Sequence, residues 1–138
     1  MNQNDPPTEH ILACLSSSPS NAKIVRTAAT MAKAFGGTFT ALYVRTPDSD
    51  QMGKEDCRRL QQHIRMAEQA GADISTIYGD DIPQQIAEFA RISGITKIVL
   101  GRSSAHRRHF WSGPSLTEKL TMTAPNLDIY IIPDASAE

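Results

Sequence analysis

The chain has 138 residues, 40% hydrophobic and 21% charged, with a formal net charge of −1. That length suits one domain around one core, and a charge so close to zero excludes a global attraction to nucleic acid or to an anionic membrane. No apolar run approaches the roughly 20 residues needed to cross a bilayer, and the polar residues 1–8, with two prolines, do not read as a signal peptide.

In chain order, apolar strand-like runs alternate with helical patterns, which predicts an α/β domain on a mostly parallel sheet. Residues 10–15 are apolar at nearly consecutive positions, the pattern of a strand buried on both faces. Ser16, Ser17, Ser18 and Pro19 stop it; Ser18 is placed to cap the next helix and Pro19 to sit in its first turn, where a missing N–H costs nothing. Ile24, Ala28, Met31, Ala32 and Phe35 form one apolar stripe on that helix, which Gly36 and Gly37 end. Residues 38–44, rich in β-branched and aromatic side chains, make the second strand. A polar stretch over 45–53 leads to a second helix with Leu60, Ile64 and Ala67 on one side and Gly71 at its close.

Residues 72–78 read as the third strand and Gly79, Asp80 and Asp81 as the turn into a third helix. That helix has Pro83 in its first turn, Ile86, Phe89 and Ala90 toward the core, and Gly94 at its end. Residues 97–101 are a short fourth strand, 102–115 a basic loop, then comes a short helix to about Ala124, stopped by Pro125. Residues 127–132 supply the fifth strand. The expectation is one domain over 9–133, a five-stranded parallel sheet flanked by four helices with right-handed crossovers. Residues 1–8 and 134–138 read as tails or linkers, with fraying up to Glu9 and from Pro133 onward.

Open parallel sheets bind ligands beyond the carboxyl ends of their strands, where strand order reverses. Three segments should meet there. The first is the serine turn, whose hydroxyls and free N–H groups suit a phosphate or a nucleobase edge, although helix capping alone accounts for one of the three serines. The second is the end of strand two. The third is the basic loop, with Gly101, Arg102, Ser103, Arg107, Arg108, Phe110 and Trp111: arginine forks bind phosphate bidentately and an indole stacks on a base. A solvated loop or a protein-binding patch reads equally from the same residues.

Catalysis finds no converging nucleophile, base and acid. His106 and His109 stand among arginines without a carboxylate or thiol between 101 and 115 to complete a metal site, and Asp80 and Asp81 suit a helix cap. Cys14 lies in an apolar run and Cys57 on a charged helical stretch, so neither a disulfide framework nor a metal cluster is expected. One buried and one surface thiol in a reducing compartment is the expectation.

Ile11 to Ser18, Ala41 to Val44, Tyr78-Gly79-Asp80 before a helix, and Ile98 to Gly101 together resemble the universal stress protein fold, also called adenine nucleotide alpha hydrolase-like, over nearly all of 9–133. Within that family the chain is similar to the domains carried by the KdpD group of potassium-responsive bacterial sensor histidine kinases. The carrying residues are Phe35-Gly36, Gly101-Arg102-Ser103, Arg107-Arg108, and the run from Ala124 to Asp128. ATP-binding members have an aspartate at the end of strand one, where this chain has Ser16, and a glycine motif of which Gly101 and Ser115 match while Ser104 and Pro114 depart. A Cβ at Ser104 and the fixed φ of Pro114 restrict the tight backbone wrap that a triphosphate needs.

A second family motif, Ser-x-Ser, twenty residues, then Phe-Thr-Ala-x-Tyr, marks domains of this group that bind cyclic di-AMP. Here it reads Ser16-Ser17-Ser18, residues 19–38, then Phe39, Thr40, Ala41, Leu42 and Tyr43, with every specified position and the spacing in agreement. The resemblance implies a regulatory, non-enzymatic cytoplasmic domain of an inner-membrane sensor kinase, with cyclic di-AMP as ligand, no required cofactor, and the remaining kinase domains as partners. An ATP-binding stress protein and a nucleotide-free protein-interaction domain are the alternatives; neither nucleic acid nor membrane insertion by this segment is expected.

Overall fold

Continuous apolar runs become the two central strands. The computed structural model describes residues 8–16, 21–102 and 115–133. In it β1 (His10–Leu15) and β4 (Lys97–Gly101) lie side by side at the middle of the sheet, and nearly every side chain along them is buried. Such runs have no solvent face, as parallel strands covered by helices on both sides require.

Five strands form one parallel sheet in the order β3-β2-β1-β4-β5, with β2 at Thr38–Arg45, β3 at Asp73–Tyr78 and β5 at Asp128–Ile132. Strands β2 and β3 add to one side of β1, whereas β4 and β5 add to the other. The helices divide accordingly. Helices α1 (Asn21–Phe35) and α2 (Lys54–Gln69) cover Ile11, Ala13, Leu15, Phe39, Ala41 and Val99. Helices α3 (Ile82–Ile92) and α4 (Leu116–Thr123) cover Leu12, Cys14, Leu42, Val44, Ile98 and Leu100 on the opposite face. Two half-cores therefore sandwich the sheet, as in doubly wound folds.

The helix boundaries follow from local chemistry. Gly36, Gly71 and Gly94 all have positive φ, the left-handed conformation that ends a helix at little steric cost for glycine. Asp81 caps α3 by accepting from the Gln84 N–H at 3.2 Å, with Pro83 in the first turn. Ser115 and Glu118 form a reciprocal capping box on α4.

The expected five strands and four helices are present among the described residues, with four corrections. Strand β2 continues to Arg45, because β3 pairs with it out to Tyr78. Strands β3 and β5 each begin one residue later than expected. Phe35 is 51% exposed rather than in the core; its last-turn position carries the ring out from the stripe, where the Lys97 ammonium lies 4.8 Å from the ring centroid. Glu9 is fastened rather than frayed, since its carbonyl accepts from the Thr38 N–H at 2.9 Å and its carboxylate from the Thr96 hydroxyl at 2.6 Å. Residues 1–7 and 134–138 lie outside the described residues, as do Ser18 and Pro19 with their proposed capping role.

Candidate functional site

Strand order reverses between β1 and β4, so the loops leaving their carboxyl ends diverge there. Register fixes what borders that opening. Leu15 pairs with Tyr43, Tyr43 with Thr76, and Gly101 with Ile132. Ala13 pairs with Val99, so two residues further on Gly101 comes level with Leu15. Ser16 follows Leu15 directly. Ser16, Tyr43 and Gly101, expected together from three separate segments, therefore border one end of the sheet.

Ser16 is held in place by a residue that sequence reasoning passed over. Asn21, the first residue of α1 and only 1% exposed, donates from Nδ2 to the Ser16 main-chain carbonyl at 2.6 Å and to its Oγ at 2.9 Å. A buried amide left without these acceptors would be costly, so Asn21 ties the start of the serine turn to the start of the helix. The available signal was a polar residue two positions after Pro19, inside an otherwise apolar helical stripe.

His63 was also missed. It belongs to the stripe Leu60, His63, Ile64, Ala67, whose spacing of three, four and seven turns it inward. It is 7% exposed, and its Nδ1 has no hydrogen-bond partner among the described residues. Burial pushes the imidazole below the usual histidine range, the Ser16 main chain draws it back up, and the Arg59 charge lowers it further. The ring is therefore neutral near neutrality.

The motif residues of β2 do not all share this end. Ala41 is fully buried under α1 and α2, Tyr43 is half-buried, and Thr40 is half-buried beside Leu12. Phe39 pairs with Ile11 and is 5% exposed in the same half-core. It lies four residues before Tyr43, about 13 Å along a strand. Phe39 thus lies in the half-core toward the other end of the sheet rather than at the crevice rim, a placement set by strand register.

Arg102 is exposed directly after β4. Arg45 supplies a second cation at the carboxyl ends, paired with Asp50 at 2.8 Å and 5.8 Å from the Tyr78 ring centroid. Ser17, Ser18, Ser103, Arg107, Arg108 and Trp111 lie outside the described residues, as do Ser104, His106, His109, Phe110 and Pro114. Ser115, which the ATP-type pattern would turn toward phosphate, is 5% exposed and occupied by its capping box.

A groove of about 420 Å³ opens at the opposite end, between the last turns of α1 and α2. Small side chains and Phe39 line it, and Lys33 and Asp73 bring opposite charges. It has no cluster of phosphate donors, so the crevice remains the better candidate. Cys14 is buried with its thiol pushed up to about 12 by desolvation, and hence unreactive, whereas Cys57 is exposed. No helix among the described residues is long and apolar enough to cross a membrane.

Comparisons with known proteins agree with this fold. The sensor protein KdpD of Clostridium acetobutylicum is 36% identical over 134 residues, which cover 94% of this chain but 14% of that protein. A universal stress protein in complex with cAMP superposes with a TM-score of 0.68 at 14% identity, covering 94% of this chain and all of the other. One from Archaeoglobus fulgidus in complex with dAMP gives 0.57 at 19% identity, covering 91% and 98%. The sheet order, the reversal beside β1 and the model of the universal stress protein family, matched over residues 7–126, converge: this chain belongs to that family.

Proposed function

We propose that this domain binds an adenine nucleotide in the crevice formed by the carboxyl ends of β1, β2 and β4, and that its ligand is cyclic di-AMP. The observation that carries the reading is the Leu15–Tyr43 register, which sets Ser16 beside the end of the Phe39–Tyr43 motif strand. That juxtaposition is what a motif joining a serine turn to a strand end across twenty residues requires. Ser16 and Ser18 meet one side of the ligand, Tyr43 borders a base with Ala41 buried behind it, Arg102, Arg107 and Arg108 neutralise the two phosphodiesters, and Trp111 covers a base. Gly101 and Ser103 stand at the start of the segment that carries these arginines. The adenine preference is supported by the cAMP and dAMP complexes of fold relatives.

The likeness to KdpD sensor proteins, of which this chain spans a small part, supports the following reading of the parent function. This domain regulates a potassium-responsive sensor histidine kinase on the cytoplasmic side, and the kinase chemistry belongs to other domains of that protein. Control of this kind needs different affinities for two signalling conformations.

Calorimetric titration with cyclic di-AMP, ATP and AMP tests the reading. Micromolar binding of the cyclic dinucleotide, abolished in Ser16→Ala with Ser18→Ala and weakened in Arg107→Ala with Arg108→Ala at unchanged thermal stability, is expected. Preference for ATP would make this a nucleotide-charged stress protein, and the absence of heat with all three would leave a protein-interaction domain.

A further inference from the structure

We propose that His63 is a positioning residue of the crevice: buried against the Ser16 turn, it takes up a proton when an anionic nucleotide is seated, and so ties nucleotide affinity to pH. The inference rests on the crevice reading above and adds a residue that the motif does not contain.

Three observations carry it. His63 is 7% exposed and its Nδ1 is unpaired among the described residues, an arrangement that a folded protein rarely keeps without use. The ring acts on the same residue, Ser16, that Asn21 clamps from α1. Third, the one charge that acts on it among the described residues is a cation, Arg59, itself paired with Asp56 at 3.2 Å. Among the described residues the groups acting on it are Arg59, one turn earlier on α2, and the Ser16 main chain at the end of β1; Asn21 brings a neutral amide to Ser16 from α1.

No carboxylate of the described residues is among these groups, so in the free domain the Ser16 main chain offsets only part of the cost of charging the ring. A phosphodiester at the Ser16 turn supplies that missing negative charge. The ring then gains a proton from solvent, both ring nitrogens become donors, and the imidazolium holds the Ser16 main chain in its bound position. By linkage, a site that gains a proton on binding binds more tightly as pH falls through the range where the free ring is neutral and the bound ring is charged.

The test is calorimetry with cyclic di-AMP on the whole domain, from about pH 8 to about pH 6, in two buffers of different ionisation enthalpy. Uptake of a fraction of a proton and a several-fold tightening toward pH 6 are expected. His63→Gln, which keeps a hydrogen-bonding side chain but cannot titrate, should lose both the proton uptake and the pH dependence. Imidazole NMR of the wild-type domain provides a second readout independent of that variant's folding: the His63 titration should move upward when the cyclic dinucleotide is added. Tight binding with no proton uptake, or an unchanged His63 titration, would overturn the role of His63 and leave the crevice reading standing. No binding at any pH would overturn both.

Discussion

The two ends of the same sheet differ in how fully their buried polar groups are paired. At the amino end, polar groups answer one another. The Thr96 hydroxyl donates to the Glu9 carboxylate at 2.6 Å and accepts the His10 N–H at 2.9 Å, while His10 Nδ1 lies 2.6 Å from the Thr38 hydroxyl. Lys97 pairs with Asp128 at 2.7 Å, and the Asp128 N–H donates to the Thr96 carbonyl at 3.0 Å. At the carboxyl end, by contrast, Asn21 fixes Ser16, but the His63 Nδ1 beside it has no partner among the described residues. A closed network spends its hydrogen-bonding capacity on the fold. A buried nitrogen without a partner leaves that capacity unspent.

Breaking the closed end should cost stability and nothing else. Thr96→Val removes the hydroxyl that joins Glu9 to His10 and leaves the Glu9 carboxylate without that donor. A loss of about 1–3 kcal/mol in chemical denaturation is expected, with cyclic di-AMP affinity unchanged. Breaking the open end should do both. Asn21→Ala removes two hydrogen bonds to Ser16, so a smaller stability loss of about 1–2 kcal/mol should accompany clearly weaker nucleotide binding, measured by denaturation and by titration of the same samples.

The smallest effect is one of pH. Burial holds the His63 ring below the ordinary histidine value, so the folded domain prefers it neutral while the unfolded chain takes a proton near pH 6.5. That contribution is complete above about pH 6.5 and is lost as pH falls below it, until the folded ring is protonated too. Denaturation curves of the wild type and His63→Gln should therefore diverge in pH dependence below about pH 6.5 and run parallel above it. Parallel curves throughout would show that burial does not penalise the charge.

How much of this was legible depended on the kind of signal. Strands β1 and β4 were legible to the residue, because buried parallel strands announce themselves as uninterrupted apolar runs. The end of β2 was not: Arg45 reads as loop, and only its pairing with Tyr78 on a neighbouring strand keeps it in the sheet. Phe35 misled because apolar spacing places a side chain on a helix face but does not say whether the last turn still lies over the core.

In the site, Ser16 and Tyr43 were legible as a motif, while their adjacency came from register, a property of two strands together. Asn21 and His63 went unread because polar residues in an apolar stripe are ordinarily assigned to solvent. A spacing count that asked which polar residues fall on the buried face would have found His63 between Leu60 and Ala67.

Amide chemical-shift mapping of the labelled domain on addition of cyclic di-AMP tests the contrast between the two ends most directly. The account predicts perturbations concentrated at Ser16, Asn21, Tyr43, Gly101 and Arg102, with Glu9, His10, Thr38 and Thr96 still. Shifts centred on the Glu9–Thr96 end, or in the groove beside Lys33 and Asp73, would contradict it.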